Sequence, residues 1–188
     1  MYRNGLKRAI DVVAAAAVLL ALSPLILLLG LAIKIWDPGP IIFRQRRVGA
    51  DGRQFDFYKL RSMPVNTGDI PSHQIGEVRL SWIGRLIRRT NLDELPQLWN
   101  VLRGDMSLIG PRPCIPAQQD LIELRRGNGA LACRPGLTGL AQVNSYDGMS
   151  VEAKAAYDGD YAQSLSFGRD AAIVLRTFGY LLKPPPKY

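Results

Sequence analysis

VVAAAAVLLALSPLILLLGLAI, residues Val12–Ile33, is an almost continuous apolar run near the start of the chain. Its 22 residues carry no charge, and one helix of that length extends about 33 Å, roughly the thickness of a bilayer core. A secretory signal is disfavoured, because the run is too long for an ordinary signal core and no small-residue cleavage site follows it. A buried helix would need a larger core than a chain of 188 residues readily supplies. The stretch therefore predicts insertion into a membrane.

Ser23 and Pro24 divide this apolar stretch into two halves of similar length. Pro24 has no N–H to donate to the carbonyl of Leu20, and the Ser23 hydroxyl can bond a freed carbonyl, as a kink in lipid requires. Each half would be about 16 Å long and would reach only mid-bilayer. Basic residues flank the stretch on both sides: Lys7, Arg8, Lys34, Arg44, Arg46 and Arg47. This symmetry fits two cytoplasmic ends, so a re-entrant helix–break–helix is slightly favoured over a kinked transmembrane span, which stays open.

The whole chain is basic, with 24 Lys and Arg against 16 Asp and Glu and a net charge of +8. Such an excess favours anionic partners, namely nucleic acid, an anionic membrane surface or a phosphorylated substrate. Nucleic acid is not expected, because binding it gives no reason for the apolar stretch. With only Cys114, Cys133 and one histidine, the sequence also disfavours a disulfide scaffold and a zinc site.

The remainder of the chain is organised as one domain after the membrane segment. We assign residues 1–36 to a re-entrant membrane helix, 37–183 to a compact cytosolic or interfacial catalytic domain, and 184–188 to a proline-rich tail. Ile41–Val48 and Arg53–Arg61 flank a turn with two glycines and predict a β-hairpin. Several helices are predicted after the hairpin, so the expected fold class is α+β and mostly helical.

Val78–Arg89 has the pattern of a basic amphipathic helix. Apolar residues recur at helical spacing, and arginines occupy the other side. Two interpretations have about equal weight: a helix that lies in the membrane interface, or a surface helix that packs on a small core.

Two adjacent acids, Asp93 and Glu94, are the candidate catalytic residues. They open a helix predicted over Leu92–Arg103 and closed by Gly104. A purely structural interpretation therefore competes, in which Asn91 as N-cap and Glu94 three positions later form a capping box. From these residues alone the capping interpretation is favoured.

Basic residues around the acidic pair support a chemical role. The candidates within about fifty residues are Lys59, Arg61, Arg85, Arg88, Arg89, Arg103 and Arg112. Lysine and arginine neutralise phosphate oxygens through charge-assisted hydrogen bonds. A carboxylate beside such cations stays ionised and can attack phosphorus, and a second carboxylate can help bind Mg²⁺ or accept a proton. The residues therefore indicate phosphate chemistry at a membrane.

A series of motifs spread over nearly the whole chain resembles one known family. The motifs are Lys7-Arg8-x-x-Asp11, Ser23-Pro24, Phe43-x-Gln45-x-Arg47-x-Gly49, Phe57-Tyr58-Lys59-x-Arg61-Ser62-Met63, Leu92-Asp93-Glu94-Leu95-Pro96-Gln97, Asn100-Val101-Leu102-x-Gly104-Asp105-Met106-Ser107, Gly110-Pro111-Arg112-Pro113 and Arg134-Pro135-Gly136-Leu137-Thr138-Gly139. The chain resembles the bacterial sugar transferases, the small monotopic phosphoglycosyl transferases. We expect it to correspond to their minimal catalytic unit.

The resemblance implies a reaction and a location. Members of the family transfer a sugar 1-phosphate from a UDP-sugar to polyprenyl phosphate, usually undecaprenyl phosphate, and release UMP at the start of glycoconjugate assembly. The implied location is the cytoplasmic face of the bacterial inner membrane, in contact with inner-leaflet lipids. The re-entrant, monotopic topology broken at Ser23 and Pro24 is implied as well. A homo-oligomer is left open.

The same resemblance assigns roles to the candidate site residues. Asp93 would be the nucleophile of a covalent phosphosugar intermediate, and Glu94 would bind Mg²⁺ with Asp93 or act as a base toward the lipid phosphate. Lys59, Arg88 and Arg112 would bind phosphate oxygens, with Arg89 as the alternative to its neighbour Arg88. Arg61 belongs to the same candidate set. An inactive membrane-docked scaffold that binds anionic lipid is the alternative.

One segment departs from the family pattern. Many members carry Gly-Arg-Asn after the segment that ends here at Asn144, whereas this chain has Ser145-Tyr146-Asp147. An arginine that could contact the donor is therefore missing, which predicts a different sugar preference with the chemistry retained.

Overall fold

The computed structural model describes residues 2–67, 80–144 and 149–181. A helical turn at Tyr2–Leu6 precedes the first helix. The helices are α1 (Lys7–Trp36), α2 (Trp82–Arg89), α3 (Gln97–Arg103), α4 (Gln119–Gly127), α5 (Leu140–Asn144), α6 (Val151–Ser164) and α7 (Phe167–Leu181). The strands are β1 (Ile42–Val48), β2 (Gln54–Leu60), β3 (Ser107–Ile109) and β4 (Gly136–Thr138). The fold is α+β and mostly helical, as predicted.

Helix α1 contains the whole apolar stretch and continues through Pro24 over 30 residues. By length and composition it could cross a membrane. The Ser23 hydroxyl donates to the Leu20 carbonyl at 2.8 Å, which is the local compensation expected before a proline. Leu20 and Leu27 near the middle are 78% and 74% exposed, so the centre of α1 presents bare apolar side chains. The chain is therefore membrane-associated, while the re-entrant path stays a prediction.

The start of α1 binds the end of α3. The Arg8 guanidinium donates to the carbonyls of Val101 and Leu102 at 2.7 and 3.1 Å. These carbonyls belong to the last turn of α3, beyond which the helix supplies no further N–H groups, and the Val101 carbonyl also accepts from the Gly104 N–H at 3.0 Å. One face of α1 also carries Ala15 into a core that includes Val101 and Met106.

The end of α1 packs on a different part of the same domain. Leu29 and Ile33 are buried with Leu60 of β2 and with Ile83 and Ile87 of α2. Both ends of the apolar helix are thus attached to one folded body.

A group of buried polar side chains, here called the root cluster, joins the start of α1 to α7. Lys7 Nζ donates to Asp170 Oδ2 at 2.7 Å, and the hydroxyls of Tyr2 and Tyr161 donate to the same carboxylate at 2.6 and 2.8 Å. Asp11 lies one turn along α1, 3.9 Å from the Lys7 ammonium. The root cluster consists of Tyr2, Lys7, Asp11, Tyr161 and Asp170.

The predicted β-hairpin is confirmed, with β1 and β2 antiparallel. Phe55 and Phe57 of β2 are buried against α3, in the same core as Leu98. Asn100 of α3, itself fully buried, accepts from the Tyr58 N–H at 3.2 Å and donates to the Asp56 carbonyl at 2.6 Å. This side chain fixes α3 beneath the second strand.

A short parallel pair, β3 with β4, was not predicted. Its two strands come from the Gly110 and Gly136 motifs, which approach so closely that a Cβ on Gly136 would lie 2.1 Å from the Gly110 nitrogen. Gly139 is equally constrained, because its Cβ would lie 2.1 Å from the Gly110 carbonyl oxygen. The three glycines therefore permit a backbone contact that side chains would prevent.

The predicted helix over residues 92–103 is divided. Leu92–Glu94 forms a 3-10 turn, and α3 begins only after Pro96. The expected end at Gly104 is confirmed, with φ of 93° in the left-handed region. The residues 78–79 assigned to the amphipathic helix, the tail 184–188 and the divergent segment 145–147 lie outside the described residues.

Candidate active site

The acidic pair lies beside the lysine predicted to accompany it. Lys59 Nζ donates to Asp93 Oδ2 at 3.1 Å and to Glu94 Oε1 at 2.9 Å. One ammonium therefore neutralises part of both negative charges, and it brings the two carboxylates together.

Lys59 reaches the acids because of its place in β2. It shares one face of the strand with Phe55 and Phe57, and its ammonium lies 5.8 Å from the centre of the Phe57 ring. The Lys59 side chain is 21% exposed, so it is partly shielded from water.

Asp93 is presented by an irregular piece of backbone between α2 and α3. Asn91 has φ of 54°, in the left-handed region that asparagine tolerates better than most residues, and the 3-10 turn follows immediately. Asp93 is 7% exposed. The capping box is wrong: the Asn91 side chain makes no capping hydrogen bond, and the Glu94 carboxylate is bound by Lys59 and Arg112 instead.

Arg112 is brought to Glu94 by the parallel strand pair. Its guanidinium donates to Oε1 of Glu94 through Nη2, and Nη1 lies 3.4 Å from Oε2. The backbone around it is fixed on both sides, because the Gly136 N–H donates to the Pro111 carbonyl at 2.9 Å and Arg47 donates to the Pro113 carbonyl at 3.2 Å. The pair β3–β4, which the sequence did not predict, therefore positions Arg112.

The charge state of Glu94 follows from these contacts. Burial acts to raise its pKa, but the positive charges of Arg112 and Lys59, and the hydrogen bonds that both donate, lower the pKa well below the ordinary value. Glu94 is therefore an anion at every physiological pH. A carboxylate with so low a pKa is a weak proton acceptor. Glu94 is therefore better suited to charge neutralisation than to general-base catalysis.

Arg61, also predicted to bind phosphate, makes its described contacts away from this cluster, and its phosphate-binding role stays a prediction. It is 5% exposed, and its guanidinium donates to the Asp37 carboxylate at 2.7 Å and to the Pro40 carbonyl at 2.7 Å. The alternation along β2 stops at Leu60, so the residue after it turns toward the end of α1. There it connects α1 to the hairpin.

Arg88 lies in the last turn of α2, three residues before Asn91. It is half-buried, whereas Arg85 and Arg89 on the same helix are exposed. Arg88 is five residues before Asp93 in the chain. Its phosphate-binding role remains a prediction.

Gln97 is a site candidate that the sequence analysis did not single out. It is completely buried one turn after Asp93, and neither its amide nitrogen nor its amide oxygen has a hydrogen-bond partner among the described residues. A buried amide without partners is costly, so such groups often serve a bound ligand or water. Its position in the Leu-Asp-Glu-Leu-Pro-Gln motif was the available signal.

The donor set fits a magnesium ion shared with phosphate. Asp93 and Glu94 offer adjacent hard oxygen ligands, and Mg²⁺ commonly takes one or two carboxylates and completes its shell with waters and phosphate oxygens. In the ranges that the structure describes, no group of three or more His, Cys, Asp or Glu side chains could hold a metal by itself.

Paired carboxylates beside cations, on a domain attached to an apolar helix, fit an enzyme that transfers phosphate groups at a membrane. The family model for bacterial sugar transferases matches residues 2–184, and the chain belongs to this family.

Individual relatives agree with this assignment. The chain is 46% identical over 191 residues to a UDP-glucose:undecaprenyl-phosphate glucose-1-phosphate transferase of Caulobacter vibrioides, with 97% of this chain and 72% of the relative aligned. It is 40% identical to the Escherichia coli protein of the same name (92% of this chain, 39% of the relative). It is 39% identical to a UDP-N-acetylgalactosamine-undecaprenyl-phosphate N-acetylgalactosaminephosphotransferase of Aeromonas hydrophila (94% and 44%). The chain thus spans less than half of these last two relatives.

Proposed function

We propose that this protein transfers a sugar 1-phosphate from a UDP-sugar to polyprenyl phosphate, with undecaprenyl phosphate as the acceptor, and releases UMP. The observation that carries the proposal is the pair Asp93 and Glu94, bound jointly by Lys59 and Arg112. The names of the relatives supply the substrate classes. Because those names include both glucose and N-acetylgalactosamine, the sugar is a matter for experiment, with UDP-glucose as the first donor to test.

Asp93 is the proposed nucleophile. Its carboxylate oxygen attacks the phosphorus that carries the sugar, the bond from that phosphorus to the bridging oxygen breaks, and UMP leaves with that oxygen. An oxygen of polyprenyl phosphate then attacks the same phosphorus and displaces Asp93, which is regenerated. Asp93 suits this role because its described hydrogen bond is to Lys59 through Oδ2, whereas Glu94 is bound by two cations.

The cations supply charge neutralisation in both steps. Lys59 and Arg112 contact the acidic pair, and phosphate oxygens are alternative partners for the same donors. Arg88 is the third proposed phosphate ligand. Asp93 and Glu94 would hold Mg²⁺, which supplies further stabilisation of phosphate charge when it is bound.

We propose a re-entrant path for α1, with both ends at the cytoplasmic face of the bacterial inner membrane. Its support is that Arg8 near one end and Ile33 near the other are attached to the same domain. A span would carry one end to the opposite surface, about 30 Å away. An exposed aromatic pair, Trp36 at the end of α1 and Trp82 on α2, lies with ring centres 5.1 Å apart. Tryptophans of this kind favour the membrane interface.

The reaction is tested by UMP release from a panel of UDP-sugars, with purified protein, Mg²⁺ and undecaprenyl phosphate. Asp93→Asn is compared with wild type, and Asp120→Asn, an exposed acid on α4, is the matched control. We expect release by wild type and the control for one sugar and none by Asp93→Asn. Mass spectrometry without the lipid should find a sugar phosphate on Asp93. No release with any donor would favour the inactive scaffold.

The topology is tested by labelling single cysteines in intact and permeabilised cells. Leu6→Cys, before α1, and Asp51→Cys, in the hairpin turn, should both react only after permeabilisation. Labelling of Leu6→Cys from outside would establish a span.

A further inference from the structure

The carboxylate of Asp37 lies where the apolar helix ends, and it bonds two other parts of the domain. Its Oδ1 accepts from Arg61 Nη1 at 2.7 Å, and its Oδ2 accepts from the Ser81 hydroxyl at 3.3 Å. Asp37 is also the C-cap of α1, since its N–H donates to the Ile33 carbonyl at 2.9 Å. We call Asp37, Arg61 and Ser81 the exit junction, because α1, the hairpin and α2 are joined there.

The Arg61 side of the exit junction fixes the end of strand β2. Arg61 is 5% exposed, and its Nε also donates to the Pro40 carbonyl at 2.7 Å. It follows β2 directly and comes two residues after Lys59, the lysine that bonds both acids of the candidate site. The Asp37 carboxylate therefore holds the strand end that carries this lysine.

The Ser81 side of the exit junction fixes the beginning of α2. The same hydroxyl accepts from the Gly84 N–H at 3.1 Å and caps the helix. A Cβ on Gly84 would lie 2.3 Å from the Ser62 carbonyl oxygen, so the first turn of α2 lies tightly against the chain that follows β2. Ile83 and Ile87 are buried in the core that also contains the end of α1. Helix α2 is thus attached to α1 by both polar and apolar contacts.

Helix α2 leads directly into the turn that presents Asp93. The N–H and the hydroxyl of Thr90 both donate to the Leu86 carbonyl, at 3.1 and 2.8 Å. The Asn91 carbonyl then accepts from the Glu94 N–H at 3.1 Å. The eight residues of α2 extend only about 12 Å, so a displacement at the beginning of this helix is carried to the acid beyond its end.

Both partners of the Lys59–Asp93 contact are therefore held from one carboxylate. One oxygen of Asp37 bonds the residue that ends the strand of Lys59, and the other bonds the residue that begins the helix before Asp93. Catalysis depends strongly on such placement, because a misplacement of about 1 Å can cost about a hundredfold in rate.

We propose that Asp37 is a positioning residue of the candidate active site. Through the exit junction, its carboxylate sets the place of Lys59 relative to Asp93 and ties both to the end of α1. The proposal rests on the proposed function and adds to it a residue that acts through its neighbours.

Ser81→Asp separates the exit junction from the helix cap. Aspartate is as good an N-cap as serine, but it cannot donate to Asp37, and its negative charge repels that carboxylate. Adding Asp37→Asn restores the contact, because the new amide can donate to the new carboxylate while its oxygen still accepts from Arg61. Ser150→Ala is the matched control for loss of a cap, since Ser150 caps α6 by accepting from the Ala153 N–H at 3.2 Å.

The position of α2 is measured directly by pulsed dipolar EPR spectroscopy. Nitroxides are placed on Arg85→Cys of α2 and Asp51→Cys of the hairpin turn, both exposed, with Cys114 and Cys133 replaced by alanine. We expect Ser81→Asp to shift or broaden the distance distribution, the double variant to return it to that of wild type, and Ser150→Ala to leave it unchanged. An unchanged distribution in Ser81→Asp would overturn the proposal.

Kinetics of the same variants test whether the acids respond. We expect Ser81→Asp to lower kcat for UMP release by about tenfold or more, with KM for the UDP-sugar within about threefold of wild type. The double variant should recover kcat, and Ser150→Ala should keep it. A shifted distance with a wild-type kcat would refute the positioning role, and a loss of kcat explained by a lower melting temperature would assign the exit junction to stability alone.

The two measurements also separate this inference from the reaction itself. If wild type releases no UMP with any donor, the proposed function fails. The distance distributions of Ser81→Asp and the double variant then still decide whether the exit junction fixes α2 against the hairpin.

Discussion

The acidic pair and the root cluster are built from the same kinds of residue and yet differ in what they can do. In each, one lysine bonds an aspartate: Lys59 with Asp93 at 3.1 Å, and Lys7 with Asp170 at 2.7 Å. The Asp170 side chain is 3% exposed, whereas the Asp93 side chain is 10% exposed and its lysine 21%.

The hydrogen-bond partners of the two clusters differ more than the burial of their aspartates does. Asp170 accepts from one cation and from the neutral hydroxyls of Tyr2 and Tyr161, so its hydrogen-bonding capacity is used within the fold. The acidic pair has cations as its partners, and cations can exchange a carboxylate for a phosphate. A saturated, buried cluster stabilises a fold, and a partly exposed cluster of charges is available to a ligand.

Asp93→Asn should produce the largest effect on activity. Loss of the nucleophile should lower kcat by about a thousandfold or more, while the melting temperature changes little, because an asparagine can still accept from Lys59. Initial rates of UMP release and thermal unfolding in detergent measure the two quantities. A fall in melting temperature that accounts for the lost activity would place Asp93 with the structural residues.

Asp170→Asn should show the opposite behaviour. Replacing one member of a buried ion pair should cost about 3 kcal/mol in the free energy of unfolding, because Lys7 loses its nearer counter-ion and keeps the more distant Asp11, 3.9 Å away. Denaturant unfolding measures the loss. The fraction that remains folded should retain the specific activity of wild type, and a selective loss of kcat at full stability would contradict the distinction between the clusters.

Gln97→Met tests an intermediate case, since Gln97 is buried like the root cluster and yet lies close to the acidic pair in the chain. The variant should unfold at the same temperature or higher, because it removes two buried polar atoms that have no hydrogen-bond partner among the described residues. If the amide serves a ligand, kcat/KM should fall by about tenfold. Lower stability with unchanged kinetics would show that an internal water or protein group satisfies the amide.

The smallest effect expected is on the pH dependence of stability. Because the pKa of Glu94 is lower in the folded protein than in the unfolded chain, its carboxylate contributes stability above the ordinary value of about 4.3, and this contribution is lost as pH falls through the folded value. The difference in unfolding free energy between wild type and Glu94→Gln should therefore be constant near neutral pH and shrink in acid. A constant difference down to pH 3 would mean that Glu94 is not held as an anion.

The sequence predicted those parts of the molecule that depend on local pattern. The apolar helix, the hairpin and the end of α3 at Gly104 follow from composition, alternation and turn residues. Lys59 was a candidate because of its charge and the family motif, and its alternation with two phenylalanines along β2 explains how it reaches the acids. Arg61 was a candidate on the same grounds, but it follows the end of β2 and pairs with Asp37.

The parts that escaped prediction depend on contacts between distant segments. The parallel pair β3–β4 joins residues about thirty positions apart through three-residue strands, too short to show periodicity. The capping box was wrong because Glu94 had closer partners in Lys59 and Arg112, which lie 35 and 18 residues away. A local preference for helix capping is overridden when a carboxylate can form ion pairs with residues distant in the sequence.

The attachment of α1 at both ends has a consequence for biosynthesis. Arg8 bonds carbonyls 93 and 94 residues later in the chain, and Asp11 bonds Ser107, 96 residues later. The apolar helix is therefore complete in the nascent chain long before the groups that satisfy its polar end exist. Translation reaches these partners only after several seconds at usual elongation rates. During that interval the helix needs the bilayer or a chaperone to cover it, so the seating of α1 on its domain is a late event in folding.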